Sequence, residues 1–91
     1  MANENKNANL SLFEPSTFEE GVAIGNQLKA GHAVIVNLHK LQRDDAQRMI
    51  DFLTGVVYSL DGLIEKVAHQ VILCTPKSVP VSGSITMGAD A

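Results

Sequence analysis

The chain has 91 residues, 45% of them hydrophobic and 4% aromatic, with no tryptophan and a single cysteine, Cys74. That is room for one small domain, which buries only about two-thirds of its unfolded surface and so gains from association. A net charge of −3, with the seven Lys and Arg residues scattered, offers no basic patch for nucleic acid. A lone cysteine forms no intramolecular disulfide and suits a reducing cytoplasm, and there is no spanning run of about twenty apolar residues.

Residues 1–9, MANENKNAN, have no apolar segment of the signal-peptide kind and are expected to be a disordered, solvated lead-in or an expression remnant. Leu10 to Phe13 alternates as a short strand, which Pro15 closes. Ser16-Thr17-Phe18-Glu19 then reads as a capping box, with Ser16 as the cap and Glu19 reaching back. The helix it opens is expected to run to about Ala30 and to stop at Gly31. Phe18, Val22, Gly25 and Leu28 share its predicted inner face. Gly21 and Gly25, four apart, mark either a close helix contact or, more ordinarily in a soluble helix, a backbone lying near a sheet.

Ala33-Val34-Ile35-Val36 is a continuous apolar run that suits a strand buried on both faces. Strand, helix and strand make a βαβ unit, so the first two strands are predicted to be parallel with a right-handed crossover. A polar loop, His39 to Arg43, leads to a second helix, where Asp44 and Asp45 favour the positive end of the helix dipole. Ala46, Met49, Ile50, Leu53, Val57 and Leu60 form its core-facing stripe. At roughly 100° per residue, Arg48, Phe52, Gly55, Val56 and Ser59 fall on a second face. Covering one sheet requires only the first stripe. The second holds a glycine that costs about 1 kcal/mol against Ala in a helix interior. Either Phe52 laps the edge of its own core and Gly55 is tolerated, or the helix faces both its own sheet and a partner.

Asp61-Gly62 ends this helix. Leu63 to Val67 and Val71 to Thr75 read as an antiparallel hairpin turning near Ala68-His69-Gln70. Beyond the loop Pro76 to Pro80, Val81 to Ile85 is a predicted edge strand, and residues 87–91 are expected to fray. The predicted fold class is an α/β sandwich: two helices on one face of a mixed four- or five-stranded sheet, in the order β-α-β-α-β-β-β. Its other sheet face is mixed in polarity, since Glu65 and Lys66 point to opposite sides and Ser82 and Ser84 alternate with apolar neighbours.

No catalytic constellation converges. His32, His39 and His69 fall in three different segments with no ligand spacing, so no metal and no cofactor are expected. Cys74 sits within an apolar run with nothing beside it to activate a thiolate. The serines lack a nucleophile elbow, and no glycine-rich loop joins a strand to a helix. The chain is read as no enzyme.

The run from Ala33 to Gly83 supplies a more specific signal. It contains a strand ending VNL, a QR-containing loop, the helix motif A-x-R-x-I-DFL-x-G-x-V-Y, and a strand LCTP followed by V-x-VSG. With the leading FEP and the capped helix, residues 10–86 resemble the globular domain of SepF, a family of bacterial cell-division proteins that tie FtsZ polymers to the membrane. The resemblance implies a non-enzymatic adaptor at the division septum, peripheral to the inner face of the membrane. Such an adaptor dimerises, polymerises and binds the C-terminal tail peptide of FtsZ. By motif, Phe52, Arg48, Asp51 and Val56 would hold the tail, and Gly55, Phe52, Val56 and Ser59 would make the self-association contact. In the family a basic amphipathic N-terminal helix reaches the membrane. This sequence shows none, so it reads as an isolated core domain or as one that has lost the membrane function. The alternative readings are a small-molecule-binding regulatory module and a signalling partner similar to the anti-sigma-factor antagonists. The latter would use Ser16 or Thr17, but the strand pattern after the second helix argues against it.

Overall fold

A computed structural model describes residues 10–77. Strand β1 (Leu10–Phe13) leads through a 3₁₀ turn (Phe18–Glu20) into helix α1 (Gly21–Lys29) and strand β2 (Ala33–Asn37). Helix α2 (Arg43–Ser59) follows, and the hairpin of β3 (Leu63–Ala68) and β4 (Val71–Thr75) completes the sheet. The strand order is β1-β2-β4-β3. β1 lies parallel to β2, as the βαβ reading predicts, while β4 runs antiparallel to both β2 and β3. The predicted edge strand Val81 to Ile85, Ser82 and Ser84, the lead-in and the tail lie outside the described residues.

The ladder registers fix which side chains meet. Phe13, Val36 and Ile72 share one cross-strand row, and Val34, Cys74 and Ile64 share the next. These rows meet Ile24 and Leu28 of α1 and Ala46, Met49, Leu53 and Val57 of α2 in one apolar core. The core stripe of α2 is therefore the one its periodicity predicts, with Ile50 and Leu60 half-buried at its margins. On the other sheet face, Leu12, Ile35, Leu73 and Glu65 form a row. Leu73 there is buried, whereas Leu10, Leu12 and Leu63 on the two edge strands are exposed.

Three local expectations are corrected. The capping box sits one residue later than predicted: Glu20, not Glu19, folds back, and its carboxylate accepts from the backbone N–H of Thr17 at 3.2 Å and of Ser16 at 3.0 Å. Residues 18–20 form a 3₁₀ turn, which moves the α-helical face so that Gly21, Ile24, Gly25 and Leu28 point inward. Val22, predicted to be internal, is 61% exposed. The glycine pair faces the other helix. A Cβ on Gly25 would lie 3.5 Å from the Phe52 ring, and one on Gly21 would crowd Met49 Sδ at 2.8 Å. Gly21 and Gly25 thus make the close helix contact, the reading given less weight from sequence.

Helix α2 closes with a Schellman motif, in which Gly62 N–H donates to the Val57 carbonyl at 2.9 Å and Asp61 N–H to the Tyr58 carbonyl at 3.1 Å. The left-handed position is held by Asp61 (φ 57°), not by the adjoining glycine. Gly62 answers a different need: a Cβ there would strike the backbone carbonyl oxygen of Thr75. It lets the helix exit pass against the end of β4.

Candidate functional site

Of the residues singled out on α2, Arg48, Asp51, Gly55 and Ser59 lie on its outer side, while Phe52 and Val56 lie along its flank toward α1. Phe52 is 36% exposed and Val56 half-buried; Arg48, Asp51, Gly55 and Ser59 are exposed. Phe52 seats part of its ring in the notch left by Gly21 and Gly25 and meets Phe18 edge-on, with ring centroids 6.0 Å apart at 74°. The Arg48 guanidinium carbon lies 4.1 Å from the centre of the Phe18 ring, a favourable cation–π arrangement. Phe18 therefore holds both Arg48 and Phe52 in place. The sequence reading assigned Phe18 only to the core.

The charges on this face are satisfied along their own helix. Arg48 pairs with Asp45 at 3.3 Å, and Gln47 Nε2 donates to Asp51 Oδ1 at 3.0 Å. Arg48 and Asp51 are not joined to each other by these bonds. Ser59 Oγ donates to the Val56 carbonyl at 2.7 Å, so its hydroxyl is turned back into the helix. Around Gly55 the surface is open: among the described residues, its own helix backbone aside, nothing lies within 4 Å of where a Cβ would stand. One turn on, Tyr58 is 83% exposed. Gly55 is thus a low point between two aromatic side chains, Phe52 three residues before it and Tyr58 three after. Tyr58 was missed in the sequence reading, although i+3 spacing from Gly55 carries the signal.

A second feature lies at the other end of α2. A half-open pocket of about 210 Å³ is floored by Leu38, Ala46, Ile50 and Ile72 and rimmed by Arg43, Gln47, Lys66, His69 and Gln70. It combines an apolar floor with basic side chains from two elements, a composition that suits an apolar segment carrying a carboxylate. The alternation of Glu65 and Lys66 predicts opposite faces for them, but only the fold shows Lys66 arriving beside the start of α2.

The remaining chemistry is sparse. Burial pushes the Cys74 thiol up to about 12, so it stays protonated and unreactive. His32 Nδ1 lies 2.8 Å from Gln27 Oε1, which explains it as a local partner of α1. Among the described residues no group of three or more His, Cys, Asp or Glu side chains gathers to hold a metal. No helix there is long and apolar enough to cross a membrane.

These features define a small α/β domain whose candidate sites, among the described residues, are surfaces and a shallow pocket. The family model of the cell division protein SepF matches residues 11–81. The chain is 46% identical over 85 residues to the cell division protein SepF of Anoxybacillus flavithermus, covering 93% of this chain and 60% of that protein. It is 42% identical over 81 residues to the Bacillus subtilis protein of the same name, covering 89% and 54% respectively. The chain therefore belongs to the SepF family of cell-division proteins, and it spans some 60% or less of the length of these relatives. A SepF-like protein from Archaeoglobus fulgidus superimposes with a TM-score of 0.72 at 17% identity, over 82% of this chain and 93% of that one. One from Pyrococcus furiosus gives 0.70 at 19% identity, over 82% and 94%. The two-helix, mixed-sheet architecture is shared with both.

Proposed function

We propose that this domain is a non-enzymatic cell-division adaptor that self-associates and binds the FtsZ C-terminal tail at the cytoplasmic side of the septum. The observation that carries the reading is the outer face of α2, where an unobstructed glycine lies between two exposed aromatics. Aromatic anchors around a small residue let two backbones approach closely, the arrangement that concentrates binding energy at an interface. In this reading Gly55, Phe52, Val56 and Ser59 meet the same face of a second copy. Polymer growth requires another contact, for which the exposed Leu10, Leu12 and Leu63 of the outer sheet face offer apolar surface. The tail peptide lies along Phe52, Arg48, Asp51 and Val56.

One observation favours a second seat for the peptide. The pocket between α2 and the hairpin is concave, whereas the Phe52 ridge is partly filled by Phe18 and Arg48. Its volume of about 210 Å³ falls below the roughly 300–1,000 Å³ of typical small-molecule sites. It suits one or two side chains of a peptide better than a metabolite, which argues against the regulatory-module alternative.

Titrating an FtsZ tail peptide into the wild type, Phe52→Ala and Lys66→Glu, with light scattering alongside, tests both parts. Loss of binding in Phe52→Ala alone puts the peptide on the helix face, and loss in Lys66→Glu alone puts it in the pocket. An unbound wild type refutes the tail assignment. A strictly monomeric wild type refutes self-association.

A further inference from the structure

Apart from these surfaces, the hairpin brings together two imidazoles that lie thirty residues apart in sequence. The β2–β4 ladder pairs Asn37 with Val71, and one step further Leu38 N–H donates to the Gln70 carbonyl at 2.8 Å. Continuing the same antiparallel count sets His39 opposite His69. Their ring centroids stand 6.0 Å apart with planes inclined at 47°. Both flanking backbones are fixed. His39 N–H donates to Asn37 Oδ1 at 2.9 Å, closing an Asx turn, and Gln70 holds a left-handed conformation (φ 58°) beside His69.

We propose that His39 and His69 form a two-imidazole site for a divalent transition-metal ion of the kind that prefers nitrogen ligands: zinc, nickel or copper. A metal–nitrogen bond of about 2.0–2.1 Å puts each ring centre roughly 3.2 Å from the ion. Two such rings span about 5 Å at a tetrahedral angle and about 6.4 Å when opposed across the metal. The observed 6.0 Å lies within that interval, and both rings are exposed enough to turn. No third His, Cys, Asp or Glu joins the pair among the described residues. The remaining coordination positions are left to water or to a carboxylate brought by a ligand. Because His69 also stands on the rim of the α2–hairpin pocket, a bound ion would add positive charge at its mouth.

The sequence placed the histidines in separate segments and expected no metal; the register of the sheet is what unites two of them. The site is tested by titrating the protein with zinc, nickel and copper chlorides, followed by calorimetry and by the imidazole ¹H–¹³C resonances. One ion per chain is expected, with copper bound most tightly. Either His39→Ala or His69→Ala should weaken binding roughly tenfold or more, since each removes half of the chelate. His32→Ala should leave it unchanged. In the wild type, the His39 and His69 resonances should move together on zinc addition while those of His32 stay in place. Acidification should weaken binding, because protons and the metal compete for the same nitrogen lone pairs. Binding that survives both single substitutions within a factor of two, or that moves all three histidines alike, reveals an adventitious ion only and overturns the site. The resonance test uses the unaltered protein, so it stands even if a variant is poorly folded.

Discussion

Gly55→Ala separates the two explanations for a glycine in the middle of α2. Beyond its own helix backbone, no atom of the described residues lies within 4 Å of where an added methyl group would stand. The substitution also removes the backbone freedom that makes Gly about 1 kcal/mol less favourable than Ala in a helix interior. The isolated fold should therefore gain about 1 kcal/mol, equivalent to roughly 4–8 °C for a domain of this size. If the glycine serves a close contact with a second copy, the same methyl must weaken that contact. Gly55→Lys, with a long side chain and nearly the helix propensity of Ala, should weaken it further, by tenfold (1.4 kcal/mol) or more. Denaturation should be measured at low protein concentration, where association adds nothing to the apparent stability, and light scattering at high concentration. A more stable fold with weakened association is the expected pair of results. A destabilised Gly55→Ala refutes the open-surface geometry. A stabilised variant with unchanged association, in Gly55→Lys as well, refutes the interface and returns Gly55 to the status of a tolerated residue.

Two further outcomes follow from the local geometry. Gly62→Ala should lower stability by about 2–3 kcal/mol, because the new methyl strikes the Thr75 carbonyl, a backbone atom that cannot rotate away. In urea the midpoint should fall by roughly 1.5–2 M, and an unchanged midpoint would contradict the close passage of the α2 exit against β4. Glu20 supplies the pH dependence. The backbone N–H of Ser16 heads the hydrogen bonds that hold its carboxyl below the ordinary glutamate value. A depressed folded-state value contributes stability above the unfolded one, about 4.3, and loses it as the pH falls through the folded value. Glu20→Gln should therefore flatten the acid limb of the stability–pH curve while removing the same contribution at neutral pH. An acid limb identical to the wild type would refute this role.

The architecture was legible because its elements are signalled by period. The alternation of β1, the apolar run of β2 and the 3.6-residue stripe of α2 each name the face they bury. What misled was local competition. Ser16 and Thr17 are both good caps, and Glu19 and Glu20 are both candidates to reach back. The 3₁₀ turn at Phe18–Glu20 selects the later pair. That shift of one residue accounts for the misplacement of Val22, since a helix moved by 100° exposes what would have been inside. Asp61-Gly62 was read correctly as a stop, but the roles of its two residues emerge only where Thr75 comes into view.

The candidate site shows why composition alone underdetermines function. Three glycines in this chain cost helix stability for two different reasons, and nothing local distinguishes them. Gly21 and Gly25 face Met49 and Phe52, so their small size is used within the protomer, where it sets the spacing of α1 and α2 and seats one edge of the Phe52 ring. Gly55 faces none of the described residues, and its small size serves no contact among them. A ring anchored on one side by Gly21, Gly25 and Phe18 presents its free edge rigidly, and a rigid aromatic loses less entropy on binding than a mobile one. The internal glycine contact and the open glycine are thus complementary. The first fixes Phe52 so that the second, one turn along the same helix, borders an anchor already in position. A methyl group on Gly21 would crowd Met49 Sδ at 2.8 Å and press on the Phe52 ring at 3.4 Å. Gly21→Ala should therefore disturb partner binding through Phe52 even though Gly21 is itself buried. Gly25→Ala, whose methyl would rest in ordinary contact 3.5 Å from the ring, should leave that binding unchanged.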